Sequence, residues 1–375
     1  MVQQISEHQD EPDVQSDNSD VTNVIDEASQ DDTVIPERYD ISSYGADYDV
    51  DGVVRRLNRG DIFIPDFQRD YVWSLHEASR FIESLLLGLP VPGVFLAQDQ
   101  QTNKFLVIDG QQRLKSLQFF YEGVFNPKVE EKKQRVFALT KVQEKFEGLT
   151  YEALDERDRI KLDNSIIHAT VVKQETPQDD DTSVYHIFER LNNGGRKLTP
   201  QEIRTALYHG TFIDRIKNLN DYPSWRQIYG KKSNRLKDQE LILRFLALYF
   251  NGDSYQSPMV EFLNKFAKRH QLAEQDFLNE AERIFTVTID VMWQTFNSKA
   301  FRPERALNAA VFDSIMVGLA QRMRDNPNID MDKLRSSYAN LLNDHDYLRV
   351  ISRATSNENS VAARLTMAQQ AFATI

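Results

Sequence analysis

Apolar positions along this chain follow two spacings, and the chain divides where one gives way to the other. Between residues 38 and 180, short β-branched runs alternate with helical stripes. Val53, Val54 and Leu57 predict a short helix ending near Gly60. Asp61 to Phe67 predicts a strand, with Pro65 marking an edge or a bulge. Ser74 and Glu77 form a capping box ahead of the apolar face Ala78, Phe81, Ile82, Leu85 and Leu86, and Gly88 stops that helix. Val91 to Gln98 and Lys104 to Asp109 predict paired strands around a turn at 99–103. Residues 126–164 are charged and of helix or loop character, and Ile166 to Lys173 predicts another β-branched strand. From 181 onward the spacing is helical. Val184, Ile187, Phe188 and Leu191 form a face that ends at Asn192-Asn193-Gly194-Gly195. Thr199 to Glu202 is a second capping box, with Pro200 at the first helical position of a helix running to Gly210. Leu241, Phe245 and Leu248 mark one later helix, and residues 273–298 and 304–324 predict two long ones. The expected fold is α+β: a mixed-sheet domain over 38–180, then an all-α domain over 181–375.

The segment FLVIDGQQRLKSL (105–117) joins both spacings. Phe105 to Asp109 predicts a buried strand, Gly110 a turn, and Gln111 the start of a helix whose face is Leu114, Leu117, Phe120 and Tyr121. A strand, a glycine and a helix start make an anion site, because the first helical turn has N–H groups without intrahelical partners at the positive end of the dipole. Gly110 lets a ligand approach the backbone. Asp109 can hold a metal or a water, the amides of Gln111 and Gln112 can orient a water, and Arg113 can fork onto phosphate. The plainer alternative is an Asp-Gly turn followed by an exposed helical turn.

Two other clusters carry chemistry. In FQRDYVW (67–73), Gln68 and Arg69 could face a phosphate and read as functional. Tyr71 and Trp73 could stack on a base, but Trp73 precedes the cap Ser74 in the hydrophobic-staple position, with Ala78 as its usual partner, and reads as structural. The loop Asn192 to Lys197 either closes on a phosphate or DNA, or simply connects two helices. The seven histidines show no zinc-ligand spacing, and neither a GxxxxGK[ST] loop nor a GxSxG elbow is present.

Bulk composition narrows the classes. The absence of cysteine removes disulfides, thiol nucleophiles and thiolate zinc sites, and makes a reducing cytoplasm the default location. The most apolar run, Leu85 to Ala97, is interrupted by glycine and proline and is too short to span a bilayer. The net charge of −12 is concentrated at one end, because residues 1–37 carry eleven acids and no lysine or arginine. Without them 46 acids face 45 bases, a net charge of −1. Residues 1–37 therefore read as a disordered acidic tail, and the charge of the remainder neither requires nor excludes nucleic acid.

IPDFQRDYVW (64–73), VIDGQQRLKSL (107–117), FERLNNGGRKLTPQEIRTALYHG (188–210) and DQELILRFLALYF (238–250), taken in this order, resemble the GmrSD N-terminal family, whose sheet domain is similar to the ParB/sulfiredoxin fold. The resemblance implies a nucleotide site and NTP hydrolysis tied to DNA restriction, often in phage defence; in that reading Asp109 binds Mg²⁺ or polarises the attacking water. Carried onto this chain, the DGQQR box is Asp109, Gly110, Gln111, Gln112 and Arg113, the FQR box is Phe67, Gln68 and Arg69, and Asn192 and Gly195 match the asparagine–glycine loop. The box continues with Lys115 and Ser116 where relatives often carry threonines, so a changed ligand preference is expected there. No histidine-centred HNH segment follows, so DNA cleavage would fall to the sheet domain or to a separate nuclease subunit. Three readings emerge: an NTPase of a restriction system, a metal-dependent nuclease using the same acid and amides, and a nucleotide-gated switch that binds DNA or a partner.

Overall fold

The computed structural model describes residues 24–25, 40–64, 71–99, 102–127, 134–176, 185–187, 190 and 198–375. Two strands and a helix open the sheet region: β1 (Val24–Ile25), β2 (Asp40–Asp49) and α1 (Val50–Arg59). They are followed by β3 (Ile62–Phe63), α2 (Leu75–Leu87), β4 (Val94–Gln98), β5 (Phe105–Asp109), α3 (Gln111–Glu122), α4 (Glu156–Asp163) and β6 (Ile166–Thr176). The five longer-range partners form one sheet in the order β2-β6-β4-β5-β3. Within it β2 is antiparallel to β6, β4 parallel to β6, β4 antiparallel to β5, and β3 parallel to β5. This is the α+β architecture expected from the alternating spacings.

The sheet is buried on both faces, which explains why β4 and β5 read as nearly continuous apolar runs. Val94, Leu96, Val107, Ile167, Ala169 and Val171 pack with the apolar faces of α1 to α4. The alternate positions Ala97, Leu106, Ile108 and Val172 pack instead against Ile203, Ala206 and Val260 of the helical part. Each helix on the first face has a local stop or start in the sequence. Gly60 closes α1 and Gly88 closes α2 in left-handed conformations, and Ser74 with Glu77 caps α2 reciprocally. Such a box is worth about 1 kcal/mol.

The helical part begins with α5 (Pro200–Leu207), α6 (Thr211–Leu219), α7 (Pro223–Tyr229) and α8 (Lys237–Asn251). It continues with α9 (Met259–Arg269), α10 (Gln275–Phe296), β7 (Leu307–Asn308), α11 (Ala309–Asp325), α12 (Met331–Asn343), α13 (His345–Ser352) and α14 (Glu358–Phe372). Leu241 to Leu248 on α8 and Ala309 to Ala320 on α11 are buried all round, so these two helices form the centre and the others wrap them. A triad of charges lies inside. Arg244 Nε and Nη2 donate to Asp313 Oδ1 and Oδ2 at 3.2 and 2.7 Å, and Arg364 Nη2 donates to Asp313 Oδ2 at 3.2 Å.

Several boundaries differ from expectation. The predicted strand Asp61 to Phe67 is described only as Ile62–Phe63, and residues 65–70 lie outside the described residues. The helix expected to run to Gly210 stops at Leu207, because Gly210 is the N-cap of α6. Gly210 is also held tight: a Cβ there would sit 2.2 Å from the carbonyl oxygen of Gln271. The helix expected over 304–324 starts at Ala309, after Leu307–Asn308 pairs in parallel with Val24–Ile25. That pairing places a dipeptide of the acidic stretch against the helical part. Among the described residues no helix is long and apolar enough to cross a membrane.

Candidate functional site

The strand, turn and helix at 105–122 form as the spacing predicts, and β5 ends at Asp109 one residue before α3. Gly110 takes φ 99° and ψ 9°, in the left-handed region. A Cβ there would lie 2.5 Å from Val94 Cγ1 and 3.2 Å from Arg113 Nη2. Glycine is thus required both by conformation and by space. We expect Gly110→Ala to destabilise the protein by about 1–3 kcal/mol. Urea denaturation checks this, and a loss below about 0.5 kcal/mol would mean that the turn relaxes freely.

The turn concentrates donors. Gly110 supplies no side-chain cap, and no acid occupies the first turn of α3. Arg113 Nη2 donates to Asp109 Oδ2 at 2.8 Å, an i,i+4 ion pair in which the arginine is mostly buried and the carboxylate about half exposed. The Arg113 Nε and the Gln112 Nε2 are both buried with no hydrogen-bond partner. Gln112 Oε1, by contrast, is engaged: it accepts from the backbone N–H of Val72 at 3.0 Å and of Trp73 at 3.3 Å. Gln112 therefore anchors the segment ahead of α2 and presents only donors to a ligand.

The remaining sequence candidates fall into two groups. Tyr71 is buried edge-on against Phe119 and Phe125, and its hydroxyl pairs with Ser116 Oγ at 2.7 Å, so it has no face for a base. Burial pushes the Tyr71 phenol up to about 12. Ser116 is fully buried and also donates to the Gln112 carbonyl, so it braces α3. Trp73 is structural as expected, although its ring meets Phe81 at 5.8 Å, one turn beyond Ala78. Gln68, Arg69, Asn192 and Gly195 lie outside the described residues. The flanks of the FQR segment are described: Phe63 pairs with Leu106 of β5, and Val72 is tied to Gln112 of α3.

Metal capacity is narrow. Among the described residues no group of three histidines, cysteines or acids is placed to hold a metal. Mg²⁺ commonly takes one or two carboxylates and completes its shell with phosphates and water. Asp109, at the end of β5, supplies one such carboxylate.

Fold and site together define an α+β domain whose mixed sheet ends in an Asp-Gly-Gln-Gln-Arg turn at a helix start. Residues 51–209 match the family model of the GmrSD restriction endonuclease N-terminal domain. The match takes in α5, beyond the sheet, so the family unit includes the helix that covers the second sheet face. An uncharacterised protein of Methanocaldococcus jannaschii is 31% identical over a stretch covering 20% of this chain and 16% of its own length. The chain thus aligns with about a sixth of that relative.

Proposed function

We propose that this chain binds an NTP at the Asp109–Arg113 turn and hydrolyses it within a DNA restriction or phage-defence system. The observation that carries the reading is the set of donors at the start of α3: an uncapped helix N-terminus behind a left-handed glycine, a mostly buried guanidinium with an unused Nε, and the Gln112 amide N–H. Such preorganised donors favour phosphate oxygens, and phosphoryl transfer depends mainly on positioning and charge stabilisation. Arg113 and the first-turn amides hold the phosphates, with Arg69 and Gln68 contributing from the FQR box and Asn192 and Gly195 from their loop. Asp109 binds Mg²⁺ or polarises water, Gln111 orients that water, and Gln112 holds the turn to the segment before α2. DNA and a separate nuclease subunit are the partners that a restriction role implies.

The test is phosphate release from each of the four NTPs with Mg²⁺, with and without DNA, beside Asp109→Ala. Wild-type release that falls at least about a hundredfold in the variant, with melting behaviour retained, supports the assignment. Tight binding without turnover selects a nucleotide-gated switch. Plasmid nicking with metal and no NTP selects a nuclease.

A further inference from the structure

A cavity of about 740 Å³ opens at the other end of β5, between the β3 edge of the sheet and the start of the helical part. Lys104, just before β5, lies on it, whereas Asp109 ends that strand, a separation on the order of 15 Å along an extended chain. Its walls are apolar at Phe63, Ile64 and Leu207. Two glutamines set into those walls each leave a buried amide oxygen without a hydrogen-bond partner, Gln239 Oε1 and Gln271 Oε1. Gln271 is 6% exposed, and its Nε2 donates to the His209 carbonyl at 3.1 Å, which fixes the amide with its oxygen as the remaining acceptor. Lys104, Lys217, His209 and the carboxylate of Asp99 also line the cavity; Lys217 and His209 face Asp214 at 3.6 and 3.9 Å, which leaves Lys104 as the cation for an anion.

Buried acceptors without donors are expensive to leave unmatched, and a pocket of this size fits a small organic ligand. The ligand these groups describe is flat and apolar on its faces, carries N–H donors along one edge, and ends in an anion. We propose that this cavity is a second ligand site, which takes a guanine base with its phosphate. The N1–H and the N2 amino group meet the two glutamine oxygens, and the phosphate lies toward Lys104. Adenine offers its edge fewer donors and fits less well. The site is separate from the Asp109–Arg113 turn and does not depend on the reading of that turn. The base can come from a free nucleotide or from single-stranded DNA.

Calorimetric titration of the full chain with GMP and AMP tests it, in wild type, Arg113→Ala, Gln239→Leu and the surface variant Lys104→Ala, each with its melting curve. GMP should bind wild type and Arg113→Ala alike. Binding should weaken at least tenfold in Gln239→Leu, weaken clearly in Lys104→Ala, and favour GMP over AMP at least tenfold. Displacement of GMP by an oligothymidylate carrying one guanine assigns the site to DNA, and failure to displace it assigns the site to the free nucleotide. GMP binding that is absent at millimolar concentration, or that survives both cavity variants unchanged, overturns the proposal.

Discussion

On the proposed NTPase reading, Arg113→Ala is expected to reduce kcat/KM for NTP hydrolysis by about a hundredfold or more while leaving the protein folded. A preorganised donor to developing phosphate charge is worth about this much, and Arg113 is the guanidinium that the fold delivers to the start of α3. Stability should change little. The Asp109 partner is about half exposed and its ion pair is solvent-screened, so the change should stay within about 1 kcal/mol. Arg113→Lys should recover only part of the activity, since a point charge cannot fork onto two oxygens. Steady-state kinetics beside a urea melt separate the two effects. Hydrolysis at the wild-type rate in Arg113→Ala would remove the turn from the chemistry.

Asp313→Ala should have the largest effect on stability, a loss of about 3–5 kcal/mol. Asp313 is fully buried between Arg244 and Arg364, themselves almost inaccessible, and removing it takes away the carboxylate that both guanidiniums share in the helical part. Natural domains hold only about 5–15 kcal/mol in all, so the variant should populate unfolded chain well before wild type. Asp313→Asn keeps the shape and one acceptor and should fall between the two. The denaturant midpoint gives the answer, and a shift worth less than about 1 kcal/mol would mean that water reaches the triad.

The elements that were legible in the sequence are those with a single-period signal. Strand β5 and helix α3 were readable because a strand buried on both faces runs straight into a glycine and a helical stripe. Strand β2 was not. It lies at the sheet edge, most of its positions are exposed, and its residues DISSYGADYD carry little apolar alternation. The extension of β6 to Thr176 was hidden for the same reason: its polar end pairs with the start of β2, at Asp40 and Ile41. Helix α11 starts later than its spacing predicts because its N-cap Asn308, whose side chain accepts from the Val311 N–H, sits inside a run that looks helical. At the site, the residue types at 109–113 could be read, since each bears its chemistry in its side chain. The tie of Gln112 to Val72 and Trp73 could not, because it spans some forty residues and leaves no local pattern.

The Asp109–Arg113 ion pair has a further consequence for selectivity. The carboxylate is a resident anion that already occupies part of the guanidinium fork, at an effective concentration no dilute solute can match. Any incoming anion must displace or share with it, so the apparent affinity of every ligand is scaled by the fraction of time the fork is open. On the proposed nucleotide reading, a monovalent anion such as chloride gains little by the exchange, whereas a polyphosphate brings several charges to the same turn.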